Sequence, residues 1–139
     1  MDEALKTKLA EAAMSARANA YAPYSVYHVG AAALTADGDV FDGCNVENAS
    51  YGLCVCAERN AIGKMVSAGK RKLVAMAVAT KEGRGPCGMC LQTMWEFSVD
   101  HDETLVIFVD EGGATEEHRL RELMPLGFSA QELRGRNDS

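Results

Sequence analysis

Two short clusters hold the residue types that could do chemistry: Cys56-Ala57-Glu58 and Pro86-Cys87-Gly88-Met89-Cys90. Each stands where the following pattern predicts that a helix begins. Side chains lean toward a helix's N-terminus, so groups in the first turn can approach an ion lying just beyond that end. Two helices meeting in this way would aim three thiolates at one point. Three soft sulfurs suit Zn2+, and a four-coordinate zinc then keeps one position for water. Three thiolates and the dication together carry a net negative charge, which opposes deprotonation of that water. Two helix N-termini, each worth about half a positive charge, offset it. So does Arg59, which can donate hydrogen bonds to the sulfurs from beside the cluster. Glu58 is then placed as a proton shuttle rather than a ligand, since a carboxylate next to the water can accept its proton and deliver it elsewhere.

Plainer readings compete. Cys87-x-x-Cys90 at a helix start could be a redox pair, but a redox pair does not call for Cys56 and Glu58. A closed structural zinc site could take Cys54 as a fourth ligand. If Cys54 lies in extended chain while Cys56 opens the helix, both reaching one ion is strained. Cys44 and Cys54 read as small packed residues, and no histidine is expected to be a ligand.

The elements that must position the clusters follow from periodicity. Residues 2–20 read as an amphipathic helix capped by Asp2, and Pro23 stops it. Residues 26–35 and 40–45 read as hairpin strands around Asp37-Gly38. The pattern then predicts a loop at 47–55, a helix at 56–68, a buried strand at 73–80 and a loop at 81–86. A helix over 87–97, a strand at 105–110 and a short helix at 116–123 follow. A last short strand or helix is expected at 129–133, and the tail 134–139 is expected to fray. A hairpin followed by helix–strand–helix–strand implies a mixed sheet with helices on both faces, in one domain spanning 1–139.

Composition narrows the function classes. The 139 residues carry 14 Lys plus Arg against 20 Asp plus Glu, a net charge of −6, which suits a phosphate backbone poorly. No apolar run approaches the ~20 residues of a membrane span, and the N-terminus carries acids where an export signal carries bases. Five cysteines, an odd number, make a disulfide framework improbable and point to a reducing cytoplasm.

The ligand, one residue, Glu, and a later Pro-Cys-x-x-Cys form a spacing shared by zinc deaminases of bases. Over nearly its whole length the chain resembles the small cytidine deaminases of the cytidine deaminase-like superfamily. The resemblance runs through Tyr21-Ala22-Pro23-Tyr24-Ser25, Val29-Gly30-Ala31-Ala32, and Gly43-Cys44-Asn45-Val46-Glu47-Asn48-Ala49-Ser50-Tyr51-Gly52. It continues through Cys56-Ala57-Glu58-Arg59-Asn60-Ala61, Pro86-Cys87-Gly88-Met89-Cys90 and Leu123-Met124-Pro125-Leu126-Gly127-Phe128. It implies an α/β fold, a three-layer α-β-α arrangement around a five-stranded mixed sheet. It implies one Zn2+ per subunit on Cys56, Cys87 and Cys90, with Glu58 moving protons between water and the cytosine ring. Asn45 and Glu47 would hold the ribose hydroxyls, with Tyr27 as aromatic wall and Ala57 beside the substrate. Phe128 would close the pocket of a neighbouring subunit in a homotetramer. The implied reaction converts cytidine or 2'-deoxycytidine to the uridine counterpart and ammonia, within pyrimidine salvage. Three positions depart from the usual pattern: Leu91 in place of Arg, Tyr27-His28 in place of Phe followed by Pro or a similar residue, and the bulk of Met94-Trp95. They leave open a modified cytosine nucleoside or a cytosine-bearing antibiotic such as blasticidin S as substrate.

Overall fold

A computed structural model describes residues 1–130 and 133. Helix α1 (Glu3–Arg17) begins where Asp2 caps it, its carboxylate accepting from the Leu5 N–H at 2.8 Å. Strands β1 (Gly30–Thr35) and β2 (Val40–Cys44) form an antiparallel hairpin. Helix α2 (Ala57–Ser67) and strand β3 (Leu73–Ala79) come next, then helix α3 (Gly88–Phe97) and strand β4 (Leu105–Val109). Strand β5 (Thr115–Arg119) and the single turn α4 (Leu120–Leu123) follow. The sheet order is β2-β1-β3-β4-β5; only β3 and β4 pair in parallel, joined through α3.

Side-chain alternation sorts the strands between two cores. Ala32, Leu34, Ala75, Ala77, Ile107 and Val109 face α1 and its Leu9 and Ala13. Ala31, Ala33, Met76, Val78 and Val106 face α2 and α3, meeting Ala61, Ile62, Met65 and Met94. This is the expected helix–sheet–helix layering. Gly43 on β2 lets α2 lie directly on the sheet, since a Cβ there would sit 2.6 Å from the Ala61 nitrogen. No helix among the described residues is long and apolar enough to cross a membrane.

Two expectations need correction. Residues 116–119 are strand rather than helix, and the helix is confined to Leu120–Leu123. The run Thr-Glu-Glu-His-Arg pairs the outer edge of β4, satisfying backbone groups that would otherwise go unpaired; its charges blunt the new edge. This segment supplies the fifth strand. The first hairpin strand starts at Gly30, not at 26, because Val26 has φ 59° and the side chain of Asn45 takes the Val29 N–H and the Tyr27 carbonyl in place of a ladder. The tail 134–139, and residues 131 and 132 of the last expected element, lie outside the described residues.

Candidate active site

Helices α2 and α3 bring their N-termini together behind the sheet. Cys56 is the N-cap of α2 and Cys87 the N-cap of α3, both in extended backbone. Neither spends its side chain on a cap hydrogen bond, so both sulfurs are free to turn outward. Cys90, in the first turn of α3, is fully buried beneath them. The three Sγ atoms lie within 4.8 Å of one another, with Cys56–Cys87 at 3.9 Å and Cys87–Cys90 at 3.4 Å. Tetrahedral zinc with sulfurs at about 2.3 Å needs sulfur pairs about 3.8 Å apart, and the cluster fits that requirement. Cys54 is not part of it: its sulfur accepts from the Asn48 N–H at 3.3 Å, away from the three thiols.

The approach to Cys87 is set by packing. Gly85 passes over the Phe108 ring, and a Cβ there would meet the ring tip at 2.7 Å. The residue at 85 must therefore be glycine for the loop to reach the helix start.

The electrostatics favour the thiolate at Cys56. A hydrogen bond from Cys90, aided by Arg59, holds Cys56 down to about 5, far below an ordinary thiol. The proton shared with Cys56, together with burial, pushes Cys90 up. Arg59 Nη2 lies 3.8 Å from Cys56 Sγ and 3.4 Å from the Cys54 carbonyl. Glu58 is 3% exposed, and burial raises its carboxyl from 4.5 to about 7, with the neighbouring Cys56 charge adding to the effect.

A cavity of about 300 Å3 opens in front of the cluster, of the size that holds a small organic ligand. Tyr27, Asn45, Glu47, Cys56, Ala57, Glu58 and Cys87 all line it. The sequence thus names seven of its walls. It leaves Ser25, Val29 and Pro86 within its motifs without an assigned role and does not single out Val78, Thr80 and Gly85; these six complete the lining among the described residues. Val78 and Thr80 sit at the carboxyl end of β3, where ligands of parallel strands bind, and that rule could have found them. Among the described residues, no Lys, Arg or His lines the cavity. Phe128 does not reach it; the residue is 46% exposed, and its carbonyl accepts from Gln92 Nε2 at 2.8 Å.

The departures from the family pattern resolve into packing. Leu91 lies against the core under α3, and Met94 and Trp95 are buried in it. The Trp95 ring stacks on His101 at 3.5 Å. None of these lines the cavity; Tyr27 does, its hydroxyl 3.3 Å from a Glu82 carboxylate oxygen.

A family sequence model described as "Cytidine and deoxycytidylate deaminase zinc-binding region" matches residues 4–106. The chain is 45% identical over 127 residues to a cytidine deaminase of Halalkalibacterium halodurans, covering 90% of this chain and 95% of that one. It is 42% identical over 128 residues to a cytidine deaminase of Sporosarcina psychrophila, covering 91% and 93%. The crystal structure of cytidine deaminase from Burkholderia pseudomallei superposes with a TM-score of 0.82 at 43% identity, covering 92% of this chain and all of that one.

Proposed function

The chain belongs to the cytidine and deoxycytidylate deaminases, and from that premise we propose that it hydrolyses cytidine, and 2'-deoxycytidine, to the uridine counterpart and ammonia. Cys56, Cys87 and Cys90 would hold one zinc ion per subunit. When bound, the ion supplies Lewis acidity that makes water nucleophilic at neutral pH. Glu58 takes the proton from that water, gives it to ring N3 as C4 is attacked, and carries the second proton to the departing amino group. The balance is one water consumed and one ammonia released. Glu58 is buried and lines the cavity beside Cys56 and Cys87, where a carboxyl that accepts and returns protons during the reaction has to stand.

The remaining residues orient the nucleoside. Glu47 Oε1 is filled by two backbone N–H groups, while Oε2 accepts one bond from Ser25 and keeps a lone pair for a ribose hydroxyl. Asn45 likewise keeps one amide hydrogen and one lone pair. Tyr27 forms the aromatic wall and Ala57 the floor between ligand and shuttle. Arg59 offsets thiolate charge. An uncharged nucleoside suits a cavity whose lining among the described residues holds acids and no cation, in a chain of net charge −6; a nucleic acid does not.

An assembly of four copies, with Phe128 closing a neighbour's cavity, is part of the same reading. Tyr24, Val26, Val46, Tyr51 and Leu53 are large side chains left exposed, as a subunit interface would leave them before assembly. Five cysteines without disulfides fit a reducing cytoplasm; a place in pyrimidine salvage, and residues 1–139 acting as one domain, belong to the same proposal.

The convergence of three sulfurs beside the buried Glu58 carries the proposal. It is tested by following loss of cytidine absorbance with equimolar ammonia release. A zinc-loaded protein that leaves cytidine and deoxycytidine untouched contradicts it.

A further inference from the structure

We propose that Ser25 is a positioning residue for this reaction: its hydroxyl ties the Glu47 carboxylate to residues 24–29 and so fixes the Tyr27 wall against the nucleoside. The inference rests on the function proposed above. Residues 24–29 form a strap along one side of the cavity, with Ser25, Tyr27 and Val29 in its lining. Val26, between them, has φ 59°, a left-handed backbone that a β-branched residue adopts only when the surroundings impose it. Its own side chain does not hold it there, being 72% exposed.

The hydrogen bonds around it do. The Val26 N–H donates to the Ala22 carbonyl at 3.0 Å. The N–H groups of Tyr24 and Ser25 donate to Glu47 Oε1 at 3.0 and 3.1 Å. The Ser25 hydroxyl donates to Glu47 Oε2 and accepts from the Tyr27 N–H, the latter at 3.0 Å. On the other side Asn45 Nδ2 donates to the Tyr27 carbonyl at 2.8 Å, and Asn45 Oδ1 accepts from the Val29 N–H at 2.9 Å. Tyr27 is therefore gripped at its nitrogen by Ser25 and at its oxygen by Asn45. A serine hydroxyl has one proton and lone pairs to spare, and here the proton serves Glu47 and a lone pair serves Tyr27. Ser25 also contributes most to holding the Glu47 carboxyl below its ordinary range. With alanine at 25 the Tyr27 N–H loses its partner and Glu47 loses a donor. The left-handed turn at Val26 is then held by fewer bonds, and the ring of Tyr27 leaves its place.

The test compares Ser25→Ala, Ser25→Thr, Val26→Asn and the Ser25→Ala/Val26→Asn pair in zinc-loaded protein. KM and kcat are measured with cytidine, the Kd of uridine by calorimetry, and zinc content alongside. Losing a hydrogen bond to a charged group predicts that Ser25→Ala raises KM and the uridine Kd roughly ten-fold. Turnover at saturation stays within three-fold and zinc stays bound. Ser25→Thr, which keeps the hydroxyl, stays within two-fold of wild type. Asparagine tolerates the left-handed region, so Val26→Asn raises Tm and shrinks the penalty of Ser25→Ala to under three-fold. The proposal is overturned if Ser25→Ala leaves KM and Kd unchanged, or if threonine does not rescue. Loss of zinc and kcat at an unaltered Kd overturns it too. If Ser25→Ala does not fold, a Val26→Asn protein that melts below wild type refutes the strained strap. A wild type that binds uridine but does not turn over cytidine refutes the function, while the uridine Kd series still decides the role of Ser25.

Discussion

Glu58→Gln keeps the size of the side chain and removes its exchangeable charge, and two effects of opposite sign follow. Glu58 is 3% exposed, and burial holds its carboxyl at about 7 against an ordinary 4.5. In metal-free protein the folded state then binds this proton more tightly than the unfolded chain does. Stability therefore falls as pH rises from about 4.5 to about 7 and is level above that. A tenfold change in proton affinity is worth about 1.4 kcal/mol, so the ionised, buried carboxylate costs about 3 kcal/mol at pH 8. The glutamine variant carries no such cost. Its stability relative to wild type should rise by about 3 kcal/mol between pH 4 and pH 8. Urea unfolding in the presence of a chelator, followed by the fluorescence of Trp95, the single and buried tryptophan, reads this directly. With zinc bound, the same variant should retain its metal and lose roughly 10²- to 10⁴-fold in turnover, the usual worth of a proton-transferring group. A stability gap independent of pH, or turnover within ten-fold of wild type, would refute the assignment of Glu58 as a buried group held for proton transfer.

Other changes probe the frame around it. Cys90→Ala should purify with less than about a tenth of the wild-type zinc and no cytidine turnover, by metal analysis and ammonia assay, since Cys90 is the buried third sulfur and two thiolates do not suffice. Gly43→Ala drives a methyl group against the α2 backbone and should cost about 2 kcal/mol in urea unfolding, with zinc and kcat changed less than stability. Asp37, in the β1–β2 turn, is held down to about 2 by its bond to Lys70 at 2.5 Å and a second from Thr35. Its contribution is fully present above pH 3.8 and is lost as pH falls through about 2, so Asp37→Asn should melt below wild type at pH 7 and converge with it at pH 2.

Much of this molecule is legible because the informative groups sit at local signals. Cys56 and Cys87 occupy N-caps, positions marked by the chain on either side of them, and their helices converge as their patterns require. The unbroken apolar runs of β3 and β4 announce strands buried on both faces. Residues 115–119 carry no apolar pattern at all; they become a strand because the free edge of β4 is there to be paired, which is a tertiary fact. Residues 26–29 read as strand by composition, yet the side chains of Asn45 and Glu47, bonded to residues 24–29 at separations of 16 to 23 positions, bend them into a strap. Ser25 stands in one of the family motifs, but its role is not legible there for the same reason: it lies in a contact 22 positions distant in sequence.

Zinc K-edge absorption on purified protein tests the account at its centre. Three sulfurs at about 2.3 Å and one oxygen at about 2.0 Å, at one zinc per chain, is the predicted shell. Four sulfurs around the metal, or a folded protein that carries no zinc, would contradict it.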